Sequence, residues 1–291
     1  MQKFTIHHCP FTNSPFTIHH SPLTIMCYDI SFTAKLAALL ASFPELVMDE
    51  PISVDLEKSI HIIGHSYGEH PIIYKDREDL HLHCRLMNWG CIPFYVKDEA
   101  AFSKQRAFML NARSERILED KSSYWHKIRN RRCLVPVTGF YEHRKVAGFK
   151  NKIPYYIELK KQPLFFLPGL YSVVELPDRE TGEMLRRFTF TIITRAANGL
   201  LQQIHNDGDN KGRMPLLLPF DLAKKWVEEE LTQATYQTIL DFEMPPAEIN
   251  YTTVFSIRTS KLRPDGKRTN EPYQWEGMEK FPLNENINGT N

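Results

Sequence analysis

Four short segments carry the side chains with chemistry to offer. They are Met26-Cys27, Asn111-Ala112-Arg113-Ser114-Glu115, Gly139-Phe140-Tyr141-Glu142, and Ile204-His205-Asn206 with Arg213-Met214-Pro215. None is a general catalytic motif by itself. If residues 132–143 are extended, Leu134, Pro136, Thr138, Phe140 and Glu142 fall on one side. A carboxylate at the end of an apolar face is desolvated, which disfavours its charged form and raises its pKa. That suits a proton-transfer group near neutral pH; the plainer reading is a strand-end glutamate turned into solvent. His205 ends a helical stretch ahead of the glycine-rich loop Asp207-Gly208-Asp209-Asn210-Lys211-Gly212. There it is either a site-rim histidine titrating near pH 7 or an ordinary surface histidine. Asn111 and Arg113, two apart, face the same way in an extended chain, and an amide beside a guanidinium suits an anionic or sugar-phosphate ligand. A strand-end hydrogen bond and a surface ion pair would explain them equally simply. Trp89, Phe94 and Tyr95 flank Pro93, and aromatics in a rigid turn can stack on bases or pack into a core.

Elements of both kinds must position these residues. Leu36, Leu39, Leu40 and Phe43 recur at helical spacing before Pro44, so 33–43 is expected to be a helix. Residues 97–108, 196–204, 221–230 and 233–242 are further helix candidates; in the third, Ala223, Trp226 and Val227 share a face and Pro219 stands near the start. Residues 59–74 mix apolar runs with Gly64, Gly68 and Pro71 and read as short strands and turns. Strands are expected over 83–89, 132–143, 155–159, 164–167, 170–175, 188–194 and 249–255. Pro136 argues for an edge or a bulge in the second of these. Strands outnumber helices and their connections are short, which predicts an α+β fold with a mainly antiparallel sheet curled toward a barrel and flanked by helices.

The bulk numbers set bounds. A chain of 291 residues that is 42% hydrophobic and 24% charged can bury a full core. With 36 basic and 35 acidic residues, any affinity for nucleic acid must come from a local patch. Cys9, Cys27, Cys84, Cys91 and Cys133 are odd in number and contain no C-x-x-C pair. They fit neither a disulfide framework nor a zinc site, and a reducing cytoplasm suits them. His81 with His83, and His61 with His65, lack a third ligand at a recognised spacing, so no metal and no cofactor are expected. No apolar run approaches the ~20 residues that span a membrane.

Residues 1–25 read differently. Phe4-Thr5-Ile6-His7-His8 recurs as Phe16-Thr17-Ile18-His19-His20. The segment is read as lying ahead of a true start at Met26, as a leader removed by cleavage, or as a loose histidine-bearing tail. The first two leave Cys27 at the amino terminus. No linker-like stretch divides 26–275, which is read as one domain, and 276–291 as a polar tail.

Together these segments resemble the SOS response-associated peptidase (SRAP) family, whose members form DNA–protein crosslinks at abasic sites. The resemblance rests on Met26-Cys27, Trp89-Gly90-Cys91-Ile92-Pro93, Asn111-Ala112-Arg113-Ser114-Glu115, Arg132-Cys133-Leu134-Val135-Pro136 with Gly139-Phe140-Tyr141-Glu142, and Ile204-His205-Asn206 with Arg213-Met214-Pro215. Each is weak alone; five in the family's order are strong. The resemblance implies that Cys27 is the nucleophile, that Asn111 positions the reacting end, and that Glu142 and His205 move protons. It also implies that Arg113 and Arg213 hold phosphates, and that Trp89, Pro93, Phe94 and Tyr95 press on bases. The expected partner is single-stranded DNA containing abasic sites. The expected state is a cytoplasmic monomer, joining the nucleoid on damage, with self-processing peptidase and lyase activities. Three departures stand out: Tyr28-Asp29 where the family has Gly-Arg, His143 where tryptophan is common, and a longer loop from His205 to Arg213. Two other readings stay open: a cysteine peptidase acting on other proteins, and a non-covalent binder of single-stranded DNA.

Overall fold

The computed structural model describes residues 28–52, 59–178, 180–259, 262–280 and 282–284. Residues 1–27, and with them Cys27, lie outside the described residues. The described chain forms two sheets that meet at the strand carrying Glu142.

The larger sheet contains β2 (Val47–Met48), β4 (Glu69–Lys75), β5 (Leu82–Trp89), β6 (Asn111–Arg113), β7 (Arg132–Val137), β10 (Phe165–Pro177), β11 (Met184–Ala196) and β12 (Arg213–Pro215). Its order is β12-β11-β10-β7-β4-β5-β2, with β6 beside β11. A parallel pairing of Thr189 with Asn88 and of Phe190 with Trp89 joins β11 back to β5. The path β5-β4-β7-β10-β11 therefore closes on itself into a five-stranded barrel. The smaller sheet has the order β13-β9-β8-β1-β3, from β13 (Ile249–Thr253), β9 (Ile153–Leu159), β8 (Gly139–Arg144), β1 (Asp29–Phe32) and β3 (Ser59–Ile63). The expected α+β fold with a barrel-like, mainly antiparallel sheet is what forms.

Both faces of the barrel strands are buried. Ile72, Val135, Phe165 and Phe190 point into a core shared with Ile30, Phe140 and Ile157 of the smaller sheet. Ile73, Leu134 and Phe166 point outward under helices α1 (Leu36–Ser42), α6 (Phe220–Glu228) and α7 (Gln233–Leu240). Leu39, Ala223, Trp226 and Val227 fill that outer layer as the helical spacing predicts. At ~25 cal/mol per Å² of apolar area, this two-sided burial is the main source of stability.

Three expectations change. The strand read over 132–143 is two strands, β7 and β8, in different sheets. At the junction the Thr138 amide donates to the Ser31 carbonyl at 2.8 Å, and Gly139 fits only because it lacks a Cβ, which would stand 2.3 Å from the Tyr156 ring. The alternation slips there: Leu134 faces outward, whereas Val135, Val137 and Phe140 face the inner core. Leu134 and Glu142 therefore do not share a side. Pro136 marks neither an edge strand nor a bulge. β7 is central, but its ladder with β4 ends at Leu134, and the Pro136 carbonyl accepts from His70 instead. The strands read over 164–167 and 170–175 are one, β10. Pro168 pairs with β7 just before the ladder with β11 begins at Gly169. Gly169 is a close-packing position, since a Cβ there would lie 2.5 Å from the Thr191 carbonyl oxygen.

Candidate active site

Glu142 sits near the end of β8, and His205 directly follows α5 (Gly199–Ile204). Asn206 ties the two ends together. Its side-chain carbonyl accepts from the Lys145 amide at 2.8 Å, and its amide donates to the Lys145 carbonyl at 3.0 Å. Asn198 caps α5 by accepting from Leu201. The result is a buried pair, with Glu142 5% and His205 4% exposed, and Nδ1 of His205 lies 3.9 Å from Oε1 of Glu142. That is too long for a hydrogen bond. Nδ1 instead donates to the Arg213 carbonyl at 2.8 Å, since a carbonyl can only accept. In the neutral ring Nε2 is therefore the bare, proton-accepting nitrogen.

The electrostatics separate the two groups. Burial, reinforced by the nearby Asp29 carboxylate, pushes Glu142 up to about 8, against weaker opposing effects of the His143 amide, Lys152 and Arg258. Oε1 of Glu142 has no hydrogen-bond partner among the described residues. Burial also lowers His205, only partly offset by its bond to the Arg213 carbonyl, so the ring is neutral near pH 7. A protonated carboxyl thus faces a neutral imidazole, an acid and a base in one buried site.

Asp29 is the second buried carboxylate. Burial would raise it, but the hydrogen bond from His61 at 2.7 Å and the pairing with Arg258 at 2.5 Å outweigh that and hold it below the ordinary range. Tyr28 packs against the His65 ring with centroids 4.3 Å apart. β1 pairs with β8 through Ile30–Phe140 and Ser31–Gly139. Counting back two residues in the same register brings Tyr28 level with Glu142. The start of the described chain therefore lies alongside the Glu142–His205 pair.

Beside it is a cavity of about 250 Å³ lined by residues that include Tyr28, Phe108, Asn111, Arg113, Trp125 and Asn210. Asn111 and Arg113 are placed by the parallel pairing of β6 with Ile192 and Thr194 of β11. Arg113 donates to the Asn210 side-chain oxygen at 2.8 Å, which fastens the glycine-rich loop over the cavity.

The remaining candidates divide. Arg213 makes a two-pronged ion pair with Glu115 and donates to the Thr194 carbonyl at 2.9 Å. Two of its guanidinium nitrogens are engaged in these contacts, which join the segment after β6 to the strand whose carbonyl orients His205. Trp89 is a correction. It is 1% exposed, stacks on Phe190, and donates its indole N–H to the Leu110 carbonyl, so it offers no face to a base. Pro93 is also buried. Phe94 and Tyr95, 49% and 56% exposed, do face outward and pack on Tyr124. Burial pushes the Cys84 and Cys91 thiols up to about 12 and raises Cys133 too, so the described cysteines are poor nucleophiles.

Sequence reasoning did not pick out Asp29, His61 and Arg258 as a unit, nor Phe108 or Asn210. Asp29 and Arg258 are 229 positions apart, and no local signal links them. Asn210 stood inside a loop already noted for its glycines. Phe108 sits in an apolar run, Ala107-Phe108-Met109-Leu110, that gives no hint of its 60% exposure. Among the described residues no group of three His, Cys, Asp or Glu is placed to hold a metal, and no helix is long and apolar enough to cross a membrane.

Residues 26–257 match the family described as SOS response associated peptidase (SRAP). This chain is a member of the SRAP family. It is 36% identical over 150 residues to the abasic site processing protein YoqW of Bacillus subtilis, covering 52% of this chain and 59% of that one. The abasic site processing protein HMCES of Gallus gallus is 31% identical over 161 residues, covering 49% and 44%. The chain thus spans about three fifths or less of the length of these relatives. Among solved structures, a protein from Bacteroides thetaiotaomicron superposes with a TM-score of 0.66 at 30% identity, covering 84% of this SRAP chain and 97% of that one.

Proposed function

We propose that this SRAP chain captures abasic sites in single-stranded DNA through a thiazolidine formed on Cys27. The carrying observation is the buried Glu142–His205 pair, 3.9 Å apart, alongside the start of the first described strand, which begins two residues after Cys27. Relatives named abasic site processing proteins support the choice of substrate.

An abasic deoxyribose opens to an aldehyde. An α-amino group, with pKa of ~7.7–8.0, is partly neutral and nucleophilic at pH 7. Its nitrogen adds to the aldehyde carbon, and the resulting hydroxyl leaves as water to give an imine. The Cys27 sulfur then adds to the imine carbon while its proton passes to nitrogen, closing a five-membered ring with the net loss of one water. Both nucleophiles reside on one residue, so closure is intramolecular and favoured by proximity. Glu142, still protonated at neutral pH, supplies the proton to the departing hydroxyl. His205 accepts the sugar hydroxyl proton at Nε2 during ring opening, and the same basic nitrogen suits strand scission by elimination. Asn111 and Arg113 hold the sugar-phosphate in the cavity beside Tyr28.

The ring requires a free amine, so the residues before Cys27 must be absent or removed, with Glu142 serving as the proton-transfer group in self-processing. The catalytic unit is residues 26–275, with 276–291 as a tail.

Protein beginning at Met26 should form a heat-stable adduct with a single-stranded oligonucleotide bearing one abasic site. Its intact mass should be that of the oligonucleotide plus protein beginning at Cys27, Met26 having been removed, less one water. Cys27→Ala should give no adduct. Equal crosslinking by that variant, or by native protein whose mass still includes residues 1–26, would defeat the mechanism.

A further inference from the structure

Several arginines of this chain hold carboxylates. Arg85 pairs with Asp49, Arg106 with Glu99, Arg116 with Asp120, Arg187 with Asp178 and Arg195 with Glu243. Arg131 and Arg186 make no such ion pair among the described residues. They face one recess of about 380 Å³ with Lys97 and Phe94, in which Glu175 is the one carboxylate. A second hollow of about 670 Å³ continues from it, sharing Arg131 and Arg186 and adding Arg77. Four carboxylates also line it: Asp49 and Asp79 are taken by the two ring nitrogens of His83, Asp49 also pairs with Arg85, and Asp76 accepts from the amide of Glu78, the fourth.

We propose that Arg131, Arg186 and Lys97 form a second anion subsite, which holds phosphodiesters of the same DNA strand that Cys27 captures; this rests on the capture reading. Glu175 stands opposite Arg186 in the β10–β11 register, so three cations face one carboxylate in this recess, and an anion between them offsets the remaining repulsion. The backbone sets Arg131 firmly: its amide donates to Ile128 at 2.7 Å and its carbonyl accepts from Tyr171 at 2.9 Å. Arg186 leans over the Phe188 ring, 5.6 Å from its centroid. The recess also connects to the candidate active site through touching aromatics. Trp125 lines the Asn111 cavity, packs on Tyr124, and Tyr124 packs on Phe94 and Tyr95; Phe94 in turn lines the recess. Cations at one end, exposed rings in the middle and a sugar-phosphate cavity at the other form a track for a single strand, whose bases stack on aromatics while its phosphates meet cations.

The test is salt-dependent binding of undamaged thymidine oligonucleotides to the chain beginning at Met26. One oligonucleotide is long enough to run from the cavity to the recess, and one is only a few nucleotides long. For the long strand, Arg186→Ala with Lys97→Ala should make the plot of log affinity against log salt shallower by ~0.7 for each lost contact, ~1.4 in all. The loss should be confined to the long strand. Arg131→Gln, which keeps the backbone bonds that place β7, should give about half that change. An unchanged slope in these variants, or an equal loss on both oligonucleotides, would overturn the subsite. Failure of the unaltered protein to form the Cys27 adduct would instead count against the capture reading, so the two ideas fail separately.

Discussion

The floor and the rim of the site are built on opposite principles. On the floor, Glu142, His205 and Asp29 are each at most 5% exposed, and every shift in their acidity traces to burial and to a few fixed neighbours. On the rim, Phe108 and Arg113 line the cavity and stand exposed, and farther out Phe94 and Tyr95 stand exposed against Tyr124. Burial makes a group chemically unusual and leaves it few ways to move. Exposure leaves a group chemically ordinary and free to meet a large ligand. The capture proposed above, which holds a strand and moves protons on one sugar, would use the two side by side.

The comparison breaks first at Glu142. Glu142→Gln should slow adduct formation by ~10²–10⁴-fold, the usual worth of a proton-transfer group, while affinity for undamaged single strands stays within error. Loss of affinity with unchanged chemistry would place Glu142 on the rim. Stability carries a second signature. A carboxyl raised from 4.5 to about 8 keeps its proton in the folded state after the unfolded chain has lost it. The folded state then binds more protons across that window, so stability falls as pH rises from 4.5 toward 8. Urea unfolding should show that fall in the parent protein and a flatter profile in Glu142→Gln.

Trp89 tests the boundary between core and contact. Trp89→Ala should cost ~3–5 kcal/mol of unfolding free energy, as for other large core residues. A folded, fully stable variant with weakened DNA binding would return Trp89 to the rim. Phe94→Ala and Tyr95→Ala should each weaken single-strand binding by ~1–3 kcal/mol with little change in unfolding free energy, measured by titration and denaturant melts. The smallest expected effect sharpens the floor itself. Asp29→Asn removes the charge that helps raise Glu142, so the inflection of the rate–pH profile near 8 should move to lower pH. An inflection that stays put would remove Asp29 from the tuning of that proton.

How much of this was legible depended on how many faces each element buries. Helix α6 has one wet face, so Ala223, Trp226 and Val227 announced themselves by spacing. Strand β7 is buried on both faces, so its alternation carried no information about direction. The slip at Thr138 was invisible because it depends on Gly139 meeting the Tyr156 ring. Prolines misled for a related reason. Pro136 and Pro168 each sit where one neighbouring ladder happens to stop, and those end points are tertiary facts.

The sequence alone determined which groups are available: a cysteine that can become terminal, a glutamate after an apolar run, a histidine before a glycine-rich loop, and an asparagine and arginine two apart. Their order along the chain also carried the family. Only the folded structure decided what each group is chemically. Acidity depends on how much solvent is excluded and on which charges lie within a few ångströms. For Glu142 those neighbours arrive from residues as distant as Asp29 and Arg258. The same folding gave Arg213 a carboxylate partner and brought Arg131, Arg186 and Lys97 to one recess. Residue type is written locally, whereas pairing and desolvation exist only once the barrel closes.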